Sequence, residues 1–188
     1  EVLVNGTNVK EYTEEGLRNK IGIVPQKAVL FKGTIRSNLL WGNESATEND
    51  LMEALKQAQS YDFVMQKENG IDSVVEQNGR NFSGGQRQRL TIARALVRKP
   101  EILILDDSSS ALDYTTDANL RKEIAKLKDM TVFIVSQRTA SIMDADQIVV
   151  LDDGNIMGIG THKELLENCE VYKEIYESQF KKPEKEGM

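Results

Sequence analysis

Residues Asn81–Asp113 read NFSGGQRQRLTIARALVRKPEILILDDSSSALD, a helix set directly before an apolar strand. Ser83 is a natural N-cap, so the helix is predicted to open at Ser83-Gly84-Gly85-Gln86, run to about Arg98 and stop before Pro100. Two glycines in its first turn let another molecule approach the backbone closely. The free N–H groups and the positive end of the helix dipole there suit an anion such as a terminal phosphate. Ile102-Leu103-Ile104-Leu105 predicts a buried parallel strand that delivers Asp106 and Asp107 at its end, where a carboxylate can reach a magnesium ion. Either half alone is commonplace, a helix cap in one case and a capped strand end in the other. With Ser110-Ala111-Leu112-Asp113 directly behind them the pair is specific.

The 188 residues are one domain's worth, with 39% hydrophobic and 29% charged residues, the balance of a soluble globular chain. No apolar run approaches a membrane span and no signal peptide is expected. A net charge of -6 argues against a nucleic-acid partner, which would ask for a basic face. Cys169 is the only cysteine, so no intrachain disulfide is possible, and His162 is the only histidine, which excludes a multi-histidine metal site. In its Gly-Thr-His turn His162 reads as a surface residue.

Outward from the central stretch, apolar strands alternate with amphipathic helices. Glu1 to Gly6 reads as a strand ending in an Asn-Gly turn, and Ile21 to Gln26 as a short buried strand. Thr47 with Asp50 resembles a capping box, followed by Leu51, Leu55 and Ala58 on one helical face. On the central helix Leu90, Ala93 and Leu96 supply a core face, leaving Arg87, Arg89, Arg94, Arg98 and Lys99 as a solvated surface. Leu120, Ile124 and Leu127 mark another helix, Thr131 to Ser136 a strand, and Ile148 to Leu151 with Ile156 to Ile159 a pair across Asp152-Asp153-Gly154-Asn155. From His162 the chain reads as helical, and Lys181 to Met188 as a charged tail. This alternation predicts an α/β fold whose largely parallel sheet is covered on both faces.

The central stretch resembles the ATP-binding cassette (ABC) ATPases, and most closely the nucleotide-binding domain of ABC exporters, over Val2 to about Phe180. Phe82-Ser83-Gly84-Gly85-Gln86 is similar to the family's signature motif, the strand ending at Asp106 to its Walker B strand, and Ser110–Asp113 to its D-loop. The resemblance implies a P-loop NTPase (RecA-like) cassette core with an inserted helical subdomain. Its parts would be a core remnant at 1–34 that includes the Q-loop, the helical subdomain at 35–80, the signature helix and core at 81–165, and a C-terminal helix with tail at 166–188. It assigns Gln26 to the Q-loop, a reading the exporter-like run Phe31 to Leu39 strengthens, and Gln137 to the switch position. Phe31, Leu39 and Trp41 become apolar candidates for docking a membrane domain, or else core residues. The family's phosphate loop, G-x-x-G-x-G-K-[ST], falls upstream of the first strand, and no G-K-[ST] occurs in these residues. The cassette is therefore expected to be incomplete at its N-terminus, as a fragment or by natural truncation.

The resemblance further implies ATP with Mg2+ and a second cassette facing this one head to tail. Asp106 and Gln26 would hold the metal, and Asp107, Gln26 and Gln137 would act on the chain's own nucleotide. Ser83, Gly84 and Gly85 would meet the nucleotide held by the partner, and Gln86 and Asp113 are further nucleotide-binding candidates. Three departures matter. Exporters follow the Walker B aspartate with glutamate where this chain has Asp107, and place histidine where it has Gln137. The loop before the signature is Glu76-Gln77-Asn78-Gly79, where exporters often have Gly-Glu-Arg-Gly. A shorter carboxylate and a donor that cannot become cationic imply a degenerate own site, hence one half of a heterodimeric exporter at the cytoplasmic face of the cell membrane. The alternatives are a slow homodimer, a cassette ATPase of DNA repair or translation without membrane domains, and a non-hydrolysing regulatory cassette. The fragment by itself is expected to be inactive.

Overall fold

The computed structural model describes residues 1–180; the expected charged tail lies outside them. The chain forms two compact units, Glu1–Val135 and Ser136 onward.

The first unit is built on a three-stranded parallel sheet in the order β3 (Ile21–Val24), β6 (Ile102–Asp106), β7 (Thr131–Val135). Its register places Val24, Leu105 and Ile134 side by side on one face, and Ile23, Ile104 and Phe133 on the other. The first face packs into the main core with Leu90, Ile92, Ala93 and Val97 of α5 (Gly84–Val97). The second is open: Ile23, Phe133 and Val135 are 60%, 55% and 56% exposed. The expectation of a sheet covered on both faces is therefore not met within the first unit, whose described helices cover one of them. The first strand is also shorter than expected, Leu3–Val4 (β1), and turns through Asn5 and Gly6, both at positive φ, into β2 (Thr7–Asn8).

Local chemistry sets the helix starts. In α1 (Glu14–Lys20) Thr13 is the N-cap. A short antiparallel ladder pairs β4 (Gly33–Thr34) with the distant β5 (Val74–Val75), and Thr34 then caps α2 (Ile35–Leu40). Thr47 and Asp50 form the expected capping box of α3 (Glu48–Gln57), which buries Leu51, Ala54 and Leu55, and α4 (Tyr61–Met65) follows. Ser83 and Gln86 form another box at the start of α5. These side chains answer N–H groups that the first helical turn cannot.

The arginines of α5 and of its C-cap, Arg98, depart most from their reading as a solvated surface. Each of the four is half-buried and donates to a backbone carbonyl. Arg87 reaches Phe82 at 2.8 Å, Arg89 reaches Gln59, Arg94 reaches Val29 at 3.1 Å, and Arg98 reaches both Gly42 at 3.2 Å and Arg18 at 2.9 Å. Arg89 also lies over the Phe63 ring and Arg94 over Phe31. Burial lowers the pKa of both Arg89 and Arg94 from the usual arginine value, with Asp113 opposing the shift at Arg89. Nη1 of Arg94 is buried with no hydrogen-bond partner among the described residues. The helix and its C-cap thus tie neighbouring segments together by supplying donors to their backbone carbonyls.

In the second unit, β8 (Ile148–Asp152) and β9 (Asn155–Gly160) form an antiparallel hairpin with a bulge at Val150/Leu151. Its buried side meets α7 (His162–Asn168) and α8 (Glu170–Phe180) around Ile148, Val150, Leu165, Cys169 and Tyr172. His162 is not a simple surface residue. It is half-buried, its Nδ1 lies 2.8 Å from the Tyr172 hydroxyl, and its ring packs against Tyr176.

Gly42 fixes how closely the α2–α3 connection approaches α5, since a Cβ there would stand 2.1 Å from the Arg94 carbonyl oxygen. Gly42→Ala should therefore destabilise the domain by about 3 kcal/mol, the upper range for forced overpacking. Chemical denaturation of the variant against the parent measures it.

Candidate functional site

Two groups of the expected site residues assemble within the first unit. The first is the start of α5. The Ser83 Oγ accepts from the Gln86 N–H at 3.2 Å, and the Gln86 Oε1 accepts from the Ser83 N–H at 3.0 Å. Gln86 is thus turned inward to hold the cap. Ser83 stays exposed, and its hydroxyl proton remains available to an acceptor. Phe82 is buried beneath the ammonium of Lys67, so an apolar residue is what this position needs.

The two glycines serve different purposes. A Cβ on Gly84 would meet nothing within 4 Å. Nothing in this chain demands glycine there, and the residue is exposed. A Cβ on Gly85 would lie 3.2 Å from the carbonyl oxygen of Ala111, so that glycine lets the segment after β6 rest against the helix start. That segment is internally tied: Ser110 donates its N–H and hydroxyl to the Asp107 carbonyl, and Leu112 is buried. Asp113 ends it as the N-cap of α6 (Tyr114–Ile124), accepting from the Thr116 N–H at 2.9 Å and the Thr116 hydroxyl at 2.7 Å. Those two bonds hold its pKa below the ordinary aspartate value. This capping role was readable from the Asp-x-x-Thr spacing ahead of a helical run.

The second group lies at the C-terminal edge of the parallel sheet. Asp106 closes β6 as an exposed residue paired in register with Val135. Asp107 follows at φ 44, a left-handed conformation that aspartate tolerates better than most residues. Its N–H donates to the Val135 carbonyl at 2.9 Å, and its Oδ2 accepts from Nε2 of Gln26 at 3.1 Å. Residues 81 positions apart are thus joined where the loop after β3 meets the end of β6. That edge, outside the carboxyl ends of the strands, is where open α/β sheets bind ligands.

The donor set fits a magnesium ion. With its amide N–H turned to Asp107, Gln26 keeps its carbonyl oxygen for a cation, and Asp106 offers a carboxylate. Among the described residues no three His, Cys, Asp or Glu side chains form a metal cage. Mg2+ commonly needs only one or two carboxylates, completing its octahedron with water and substrate phosphates, and would there neutralise phosphate charge. Gln137 belongs to the second unit, exposed, with its carbonyl accepting from Nε2 of Gln179 at 2.7 Å.

Comparison with known proteins places this geometry. The family model for ABC transporter matches residues 1–110. The uncharacterized ABC transporter ATP-binding protein YfiB of Bacillus subtilis is 48% identical over 179 residues, covering 95% of this chain and 31% of that protein. A candidate multidrug export ATP-binding/permease protein of Staphylococcus aureus is 41% identical over 180 residues, with the same coverage. Among solved structures, a bacterial Atm1-family ABC exporter with ATP bound superposes with a TM-score of 0.91 at 35% identity, covering 96% of this chain and 32% of that one. The chain spans about a third of the length of the relatives it matches. The fold is the ABC cassette form of the P-loop NTPases, and the chain belongs to the ABC transporter family as a nucleotide-binding domain of the exporter kind.

Proposed function

We propose that this chain is part of the ATP-hydrolysing engine of an ABC exporter, working at the cytoplasmic face of the cell membrane against a second cassette. The observation that carries the reading is the convergence of Gln26, Asp106 and Asp107 at the ligand-binding edge of the sheet. Asp106 and Gln26 hold Mg2+. Asp107 orients the attacking water at the chain's own nucleotide, with Gln137 donating to the terminal phosphate. The start of α5 serves the nucleotide held by the partner: Gly84, open on its outer side, admits the phosphate, and Ser83 donates to it. Phe31 and Trp41, stacked with ring centroids 4.6 Å apart and 42% and 66% exposed, are the surface for a membrane-domain segment, while Leu39 is core.

The own site is degenerate. Aspartate withdraws the carboxylate by roughly one C–C bond, about 1.5 Å, relative to glutamate. Its remaining reach is shared with Gln26. Gln137 donates an amide N–H but cannot become cationic. A non-identical partner with the longer carboxylate and a histidine supplies the competent site, completed by this chain's Ser83, Gly84 and Gly85.

In the intact transporter, Gly84→Ala should leave the melting temperature of the domain unchanged while reducing turnover at the partner's nucleotide. Trapping labelled nucleotide and asking which cassette retains it reads this out, and loss confined to this chain's own nucleotide overturns the trans assignment. Asp107→Glu with Gln137→His, with the partner's catalytic glutamate removed, should raise single-turnover hydrolysis at the own site, by up to about 10²-fold. Glutamate must adopt the left-handed backbone of position 107 to do so, at a stability cost of about 1 kcal/mol. A flat rate with ATP still bound means that the two substitutions are not the cause. The 188 residues alone, without a G-K-[ST] sequence, should bind Mg-ATP weakly; micromolar affinity by calorimetric titration contradicts this.

A further inference from the structure

We infer that Gln179, near the end of α8, is a positioning residue that sets the direction in which Gln137 points. Its side-chain amide bridges two places on the segment that carries Gln137. Oε1 accepts from the Thr139 N–H at 3.0 Å and from the Thr139 hydroxyl at 2.9 Å, and Nε2 donates to the Gln137 carbonyl at 2.7 Å. The orientation of the amide is dictated by its partners. A backbone N–H can only donate and a carbonyl can only accept, so the oxygen must face Thr139 and the nitrogen Gln137.

The consequence falls on one peptide plane. The peptide joining Gln137 to Arg138 is pinned at its carbonyl by Gln179 and at its N–H by the Ser136 Oγ, 3.0 Å away. Fixing that plane fixes ψ of Gln137, and with it the cone in which the exposed side chain moves. The next residue is held as firmly: Thr139 is 2% exposed, and its carbonyl accepts from the Met143 N–H at 3.0 Å. Thr139 therefore anchors the clamp, and Gln137 is the member left facing outward. Because Gln179 is itself exposed, its amide adds little to the packing of the unit. Removing it should disturb the direction of Gln137 before it disturbs folding.

The inference rests on the reading of Gln137 as the residue that meets the terminal phosphate, and the test separates the two. The material is the full-length transporter with its partner, carrying Gln179→Leu, Gln179→Glu or Gln137→Ala, and Gln137→Ala combined with each Gln179 change. Leucine removes both arms of the clamp. Glutamate keeps the acceptor for Thr139 but sets a carboxylate oxygen against the Gln137 carbonyl. Hydrogen exchange should show the Thr139 amide exchanging about tenfold faster in Gln179→Leu, as for the loss of one hydrogen bond, and still protected in Gln179→Glu. Both variants should nevertheless slow single-turnover hydrolysis at the own site about as much as Gln137→Ala does, without loss of ATP binding. Neither should slow it further once Gln137 is alanine. Activity lost in Gln179→Glu while Thr139 stays protected is the signature of positioning, which a merely structural role would not give. If Gln137→Ala slows hydrolysis and the Gln179 variants do not, the positioning role is wrong and the reading of Gln137 stands. If Gln179→Leu costs the same with and without the Gln137 side chain, it acts elsewhere and the inference falls. If Gln137→Ala changes nothing, the underlying reading has failed, and the inference with it.

Discussion

The first unit depends on arginine side chains of α5 meeting backbone carbonyls. Phe82, Gln59, Val29, Gly42 and Arg18 all lie outside the helix that serves them, and each accepts from a guanidinium of Arg87, Arg89, Arg94 or Arg98. Irregular chain between short elements leaves carbonyls without ladder partners, and a buried one costs about 1–3 kcal/mol if unanswered. Guanidinium is suited to the task because it carries five donors in a fixed fork and stays charged even when burial lowers its pKa. The same helix begins at Ser83 and packs on the sheet that ends at Asp106. One element therefore registers the Ser83 helix start, the irregular helical segments and the parallel strands against one another.

What the sequence disclosed was the local part. Thr47 with Asp50 formed the capping box as read and Ser83 capped its helix as read, while the return bond from Gln86 was not anticipated. The strand at Ile102–Asp106 and the helix before it also stand where alternation and Pro100 placed them. The arginines were misread because a basic helix face looks solvated unless the distant carbonyls are known, and Val29 lies 65 residues from Arg94. The open sheet face was equally hidden, since an apolar strand does not state how many helices will cover it. At the candidate site the residue types were legible but their pairing was not. Nothing local joins Gln26 to Asp107, or Gln179 to Gln137, and His162 looked like a turn residue until Tyr172 came to lie beside it.

The backbone at Asp107 complicates any account that treats aspartate simply as a short glutamate. At φ 44, with its N–H committed to Val135, the residue ends the β6 strand by turning the chain into the segment that rests on Gly85. Aspartate relieves part of the strain of that turn and, on the proposed reading, gives up reach toward a water. The two effects act on different things, the geometry of the segment after β6 and the distance to the reacting atoms, and a single substitution changes both.

Neutral carbonyls as acceptors have a physiological corollary. An ion pair between side chains weakens as dissolved ions accumulate around it and disappears when its carboxylate is protonated; a bond from a guanidinium to an amide oxygen has only one charged member and no titrating acceptor. The guanidinium–carbonyl bonds around α5 are accordingly less exposed to dissolved ions and to acidification than an ion pair such as Lys99–Asp50. On the proposed reading, a phosphate-laden nucleotide and its cation would instead meet this chain through charge at Asp106 and through helix-end N–H groups, interactions that the surrounding electrolyte does reach. A shift in the ionic medium would thus act on nucleotide engagement first and leave the scaffold that presents those groups as it was.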